Sequence, residues 1–175
     1  MRIAASAIAL LLSLAAWQPK ETVVNAAPSS SLPKVELGTG RVGPREIEGL
    51  TRNKILHDYA SAWQTLATGL EQNRPDILND YFTGPANKEF TTVIAEQTAT
   101  GIHREYVDHG HKLVVIFYSP DGGVMQLWDK AEYEVRIFDG SRLIHSERTA
   151  IRFLVLMTPA ADRWMVRLLQ DVPIA

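Results

Sequence analysis

The stretch KLVVIFYSPDGGVMQLWDKAEYEVRIFDG, residues 112–140, decides the fold class. Lys112 to Tyr118 is an apolar, β-branched and aromatic run with no helical period, as expected of a strand covered on both faces. Ser119-Pro120-Asp121-Gly122-Gly123 is turn chemistry. From Met125 to Phe138, Tyr133, Val135 and Ile137 alternate with Glu132, Glu134 and Arg136, the period of a strand with one wet face. Asp139-Gly140 tolerates positive φ and marks a hairpin. Beyond it, Leu143 to Met157 reads as a long strand, Thr158 to Asp162 as a turn, and Arg163 to Val172 as a closing strand. On the other side, Ile102 to Asp108 alternates as a further strand, and the residues between it and Lys112 read as a turn with exposed imidazoles.

Upstream of Gly101 the period changes. Ile47, Leu50, Leu56, Tyr59, Ala60, Trp63, Leu66, Ala67 and Leu70 recur mostly at steps of three and four, an amphipathic helix that Pro75 ends near Asn73. A short helix carries Ile77, Leu78, Tyr81 and Phe82. A third begins at Pro85 and runs through Phe90, Val93, Ile94 and Gln97 to Gly101. Helices followed by strands joined by tight turns predict an α+β domain, with three N-terminal helices packed on a curved, cone-like antiparallel sheet of four to five strands.

The chain has 175 residues, 46% hydrophobic and 22% charged, with a formal net charge of -2 and no cysteine. That is a single globular domain, without the basic balance of a nucleic-acid binder and without disulfides or thiolate chemistry. At its start Arg2 precedes an apolar run from Ile3 to Ala16. The run is shorter than the roughly 20 apolar residues of a spanning helix and fits a secretory signal. Ala16 and Ala26 suit signal peptidase, so residues 1–26 read as a leader cleaved after one or the other, and the product as exported, periplasmic or secreted. Cleavage leaves no membrane span. Residues 27–46, with Pro28, Pro33, Pro44 and several Ser and Gly, read as a flexible linker, and residues 47–175 as the folded domain.

The helix–helix–helix–strand order, the segment Asn79-Asp80-Tyr81-Phe82-Thr83-Gly84-Pro85, the stretch Tyr106 to Trp164 and its closing Asp162-Arg163-Trp164-Met165-Val166 resemble the nuclear transport factor 2-like (cystatin-like cone) superfamily. Within it they are most similar to the IMS-like domain of plastid and cyanobacterial division proteins. The resemblance implies a cone whose mouth lies between the helices and the concave sheet. Since that superfold hosts enzymes and plain binding modules alike, it implies no catalytic residue and no cofactor.

Strand parity groups His145 and Glu147 with Ile151, Phe153 and Val155, and so aims them into the cone as an acid–base pair. Tyr59 and Trp63 from the first helix and Trp128 and Tyr133 from the third strand complete a pocket wall, against the simpler reading of Tyr59 and Trp63 as core packing. In an isomerase-like reading Tyr59 donates its hydroxyl, with Asp108 or Glu147 as base. His109 and His111, two residues apart, have metal-ligand spacing, with Asp108 or Glu105 as oxygen donors, but Gly110 between them favours a turn and no metal. On the opposite parity, Arg148, Arg152, Leu154 and Leu156 set an apolar stripe beside charge, the makings of an interface. The chain has no Walker loop, G-x-G-x-x-G, G-x-S-x-G or H-E-x-x-H motif. The expectation is an exported, non-catalytic binding or assembly module of the cell envelope, acting through its sheet face or an apolar pocket. Its partners would be a second copy, an envelope protein or a small apolar ligand, and not nucleic acid. The alternative is an isomerase- or lyase-type enzyme with an acid–base pair in the cone.

Overall fold

A computed structural model describes residues 31–38 and 43–173, so the expected leader at 1–26 lies outside the described residues. The element order is β1 (Val35–Gly38), α1 (Gly49–Glu71), a 3-10 helix (Pro75–Asp80), α2 (Gly84–Thr100), β2 (Ile102–Tyr118), β3 (Met125–Asp139), β4 (Arg142–Pro159) and β5 (Trp164–Val172). The five strands form one sheet in sequence order. Strands β2 to β5 are an antiparallel meander, while β1 joins the edge of β2 in parallel, so the sheet is mixed.

Three expectations change. The second helix is a six-residue 3-10 turn, because Pro75 starts it and Tyr81 leaves helical geometry after it. Val35–Gly38, inside the stretch read as a flexible linker, is a strand: it pairs residue for residue with His111 to Val114. Its alternation is only four residues long and is hidden among prolines and glycines. Finally, Ile102 to Tyr118 is one continuous strand. The expected turn at Asp108 to His111 is a bulge, and Gly110 absorbs it at φ 129°, a conformation closed to side chains with a Cβ.

Helix α1 buries Ile55, Tyr59, Trp63, Leu66 and Leu70 at steps of three and four. They pack on the concave sheet face, made by Leu113, Val115, Leu127, Ala131, Val155 and Met157. Gly101 closes α2 in the left-handed conformation at φ 72°. Two polar ties fix the helices to the sheet. Gln97 Nε2 donates to the Leu70 carbonyl and to Asn73 Oδ1, while Asn73 Nδ2 donates to the Ile102 carbonyl at the start of β2. Midway along α1, the buried Asp58 accepts the backbone N–H of Trp164 at 2.7 Å and faces Lys54 at 3.5 Å.

Asp58→Ala leaves the buried Trp164 N–H without an acceptor. We expect a loss of about 1–3 kcal/mol, read as a lower urea midpoint at unchanged slope.

Candidate functional site

The bulge in β2 builds the centre of the domain. Strict alternation would carry Asp108 and Gly110 on one face and send His111 to the other. Instead Asp108 pairs with Tyr133 and Gly110 with Glu132, leaving His109 as the extra residue, and His111 returns to the concave face opposite Ala131. From β3 the concave face presents Met125, Leu127, Asp129, Ala131 and Tyr133, all buried. Asp129 is the one charge in that row, and it meets His111 beneath α1.

The four polar groups form a chain. Tyr59 Oη donates to Asp129 Oδ2 at 2.7 Å, His111 Nδ1 lies 2.7 Å from the same oxygen, and His111 Nε2 lies 2.7 Å from Asp108 Oδ2. Both ring nitrogens face carboxylate oxygens, so both carry protons and the ring is an imidazolium. Burial pushes the His111 pKa down, but the hydrogen bonds and charges of Asp108 and Asp129 outweigh it, and the value rises to about 9. Burial, and next the charge of Asp129, push the Tyr59 phenol well above its ordinary value, so it remains a donor. Trp63 covers the imidazolium with ring centroids 4.5 Å apart, and Tyr59 meets it edge-on at 5.7 Å. Tyr106, Tyr133 and Phe153 extend the aromatic shell around Trp63.

His111 and Asp129 are closed to solvent, whereas the Asp108 side chain is 24% exposed. The arrangement is therefore a buried ionic clamp with one carboxylate at the surface. Two buried atoms, Asp129 Oδ1 and Trp63 Nε1, have no hydrogen-bond partner. Chemically, the clamp holds a proton at His111 between the two carboxylates. It leaves no free ring nitrogen to act as a base.

Of the residues singled out from sequence, Tyr59, Trp63 and Tyr133 lie together around this clamp. Trp128 does not: it alternates with Leu127 and Asp129, so it stands on the outer face, 5.5 Å beneath the Arg152 guanidinium. His145 and Glu147 keep the concave parity of Ile151, but that part of β4 extends past the core. Both are exposed, 3.5 Å from each other, and the structure does not bring them to the clamp. Arg148, Arg152, Leu154 and Leu156 share the outer face, with Arg148 exposed and the others half-buried. His109 and His111, read as a pair with metal spacing, are separated by the bulge: His109 is exposed and His111 buried. Sequence reading missed His111 and Asp129 as partners. The signal available was Gly110 within an otherwise strand-like run, which marks a bulge and a flip of parity.

No family model matches the chain, and no curated protein matches it in sequence. Solved structures do match. The intermembrane space region of the chloroplast protein ARC6 superposes with a TM-score of 0.60 at 15% identity, covering 74% of this chain and 98% of that one. A putative dehydratase of the NTF2-like family from Streptomyces avermitilis gives a TM-score of 0.48 at 10% identity, covering 71% and 99%. A cystatin-like protein from Nostoc punctiforme gives 0.42 at 11%, covering 73% and 93%. At these identities the likeness is one of fold, and the fold is that of the ARC6 intermembrane space region. No helix among the described residues is long and apolar enough to cross a membrane.

An imidazolium held at about 9, against the ordinary 6.5, stabilises the fold fully below about pH 6.5 and loses that contribution as pH rises through 9. Asp108, Asp129 and Tyr59 face the ring, and Tyr59 stays protonated over this range. We expect the thermal midpoint to fall between pH 7 and pH 10. His111→Gln removes the charge between two carboxylates and should cost about 3–5 kcal/mol at pH 7. It should also flatten that alkaline slope, which a mere packing loss would not do.

Proposed function

We propose that the protein is an exported, non-catalytic binding module of the cell envelope whose working surface is the outer face of its sheet. The observation that carries this reading is the contrast between the two faces. The concave face is closed by the His111 clamp and its aromatic shell. The outer face leaves Val114, Ile116 and Phe117 more than a third exposed at 43%, 38% and 37%. Val114, Trp128 and Leu154 stand in register across three neighbouring strands, so the exposed apolar side chains are continuous with half-buried ones. The leader-like residues 1–26 support export, and a fold shared with a domain of an intermembrane space is in keeping with it.

A photo-crosslinking side chain at Leu154 tests the surface in the native host. A discrete adduct is expected from this position and not from Glu96 on α2. Crosslinking from neither position, together with a reproducible small-molecule adduct in native mass spectrometry, would overturn the reading.

The alternative, an isomerase- or lyase-type enzyme, is favoured by one feature: the part-exposed Asp108 carboxylate backed by the His111 imidazolium. On that reading Asp108 holds the role of base considered for it from sequence, while Tyr59 is buried and spent on Asp129 and His145 and Glu147 have no role. A small-molecule adduct lost in Asp108→Asn would favour it.

A further inference from the structure

Three cations stand side by side on the outer face. Lys112 of β2 pairs with Lys130 of β3, and Lys130 pairs with Arg152 of β4. Neighbouring strands are about 4.8 Å apart, so the three backbone positions span about 10 Å, and like charges directly opposite one another destabilise a sheet. The fold supplies little to offset them. Glu132 reaches Lys130 at 3.7 Å, and Glu36, beside Lys112 in the register, is bridged to Lys34 at 2.7 Å. Lys112 and Arg152 have no ion-pair partner among the described residues.

Arg152 is set up more specifically. Its guanidinium lies 5.5 Å over the Trp128 ring, and its Nε is buried with no hydrogen-bond partner. A guanidinium resting on an aromatic face can still offer its terminal Nη amino groups, end-on, to a carboxylate. Beside the row lies a depression of about 140 Å³, in which Lys34, Lys112 and Lys130 line the wall together with the carboxylates Glu36 and Glu132. On the other side is the apolar row of Val114, Trp128 and Leu154.

We propose that this strip receives an acidic protein segment. One carboxylate docks on Arg152 and Lys130, a second reaches Lys112, and the apolar side chains beside them cover the Val114–Trp128–Leu154 row. The inference rests on the outer-face reading above and names the chemistry of its partner. The strip is one row deep, and Glu132 and Glu134 lie in the next rows along β3. A continuous polyanion or an anionic membrane would meet both carboxylates, whereas two or three spaced carboxylates need displace only Glu132 from Lys130.

The probe is a twelve-residue amphipathic peptide of leucine and glutamate, followed by the NMR shifts of the Arg152 Nε–H and the Trp128 indole N–H. Both signals should move, binding should weaken as salt rises, and Arg152→Gln or Lys130→Gln should weaken it about tenfold at a thermal midpoint that does not fall. Lys112→Gln, at an exposed position, serves as the second variant if Arg152→Gln loses stability. Equal binding of the leucine–glutamine counterpart overturns the proposal, as does no binding of either peptide. So does an equal or larger response to inorganic phosphate or to phosphatidylglycerol vesicles, which would mark a generic anion or lipid site. Crosslinking from Leu154 without peptide binding would remove the acidic partner and leave the outer-face reading standing.

Discussion

A histidine clamped between two carboxylates holds the inner layer of this domain together. His111 joins Asp108 on its own strand to Asp129 on the next, and Tyr59 joins Asp129 to helix α1. One imidazolium therefore links two strands and a helix. A buried charge of this kind is costly unless every donor on it finds an acceptor, and both of its N–H groups do. The bulge at His109 and Gly110 is what makes this geometry available, since it brings Asp108 and His111, three residues apart, onto one face. Trp63, tilted over the ring, then excludes water and keeps the interaction strong.

The same sheet presents two chemically different faces. Inside, one ionic group sits among Leu, Val, Met and aromatic side chains beneath α1. Outside, rows run across the strands, apolar at Val114, Trp128 and Leu154 and cationic at Lys112, Lys130 and Arg152, while Glu132 and Glu134 follow along β3, Glu134 bridged to Arg136. Tight antiparallel register produces this banding, because residues that pair share a face and a height along the sheet. Such banding suits recognition of a partner by spacing, with charge setting the register and apolar contact supplying affinity.

Polar contacts at the middle and the C-terminal end of α1 hold the helices against the sheet. Asp58 caps the start of β5 through the Trp164 N–H, while Asn73 and Gln97 join the far end of α1 to α2 and to β2. These are local polar contacts between segments distant in sequence. Each replaces water around a backbone group that folding buries.

The α+β class, the long first helix, the stop at Gly101, the turn at Ser119 to Gly123 and the late strands are written in the local sequence. Each rests on a period of two or of three to four, or on a backbone requirement of Pro or Gly. What only tertiary structure decided is which side chains meet. The four-residue strand β1 has too little pattern to stand out, and it forms because the edge of β2 offers it partners. Glu147 and His145 keep the right parity yet end outside the core, because parity sets a face and not whether anything covers it. His111 is the reverse case. Local pattern reads it as a turn residue, and a single inserted residue turns it inward to Asp129, eighteen positions away.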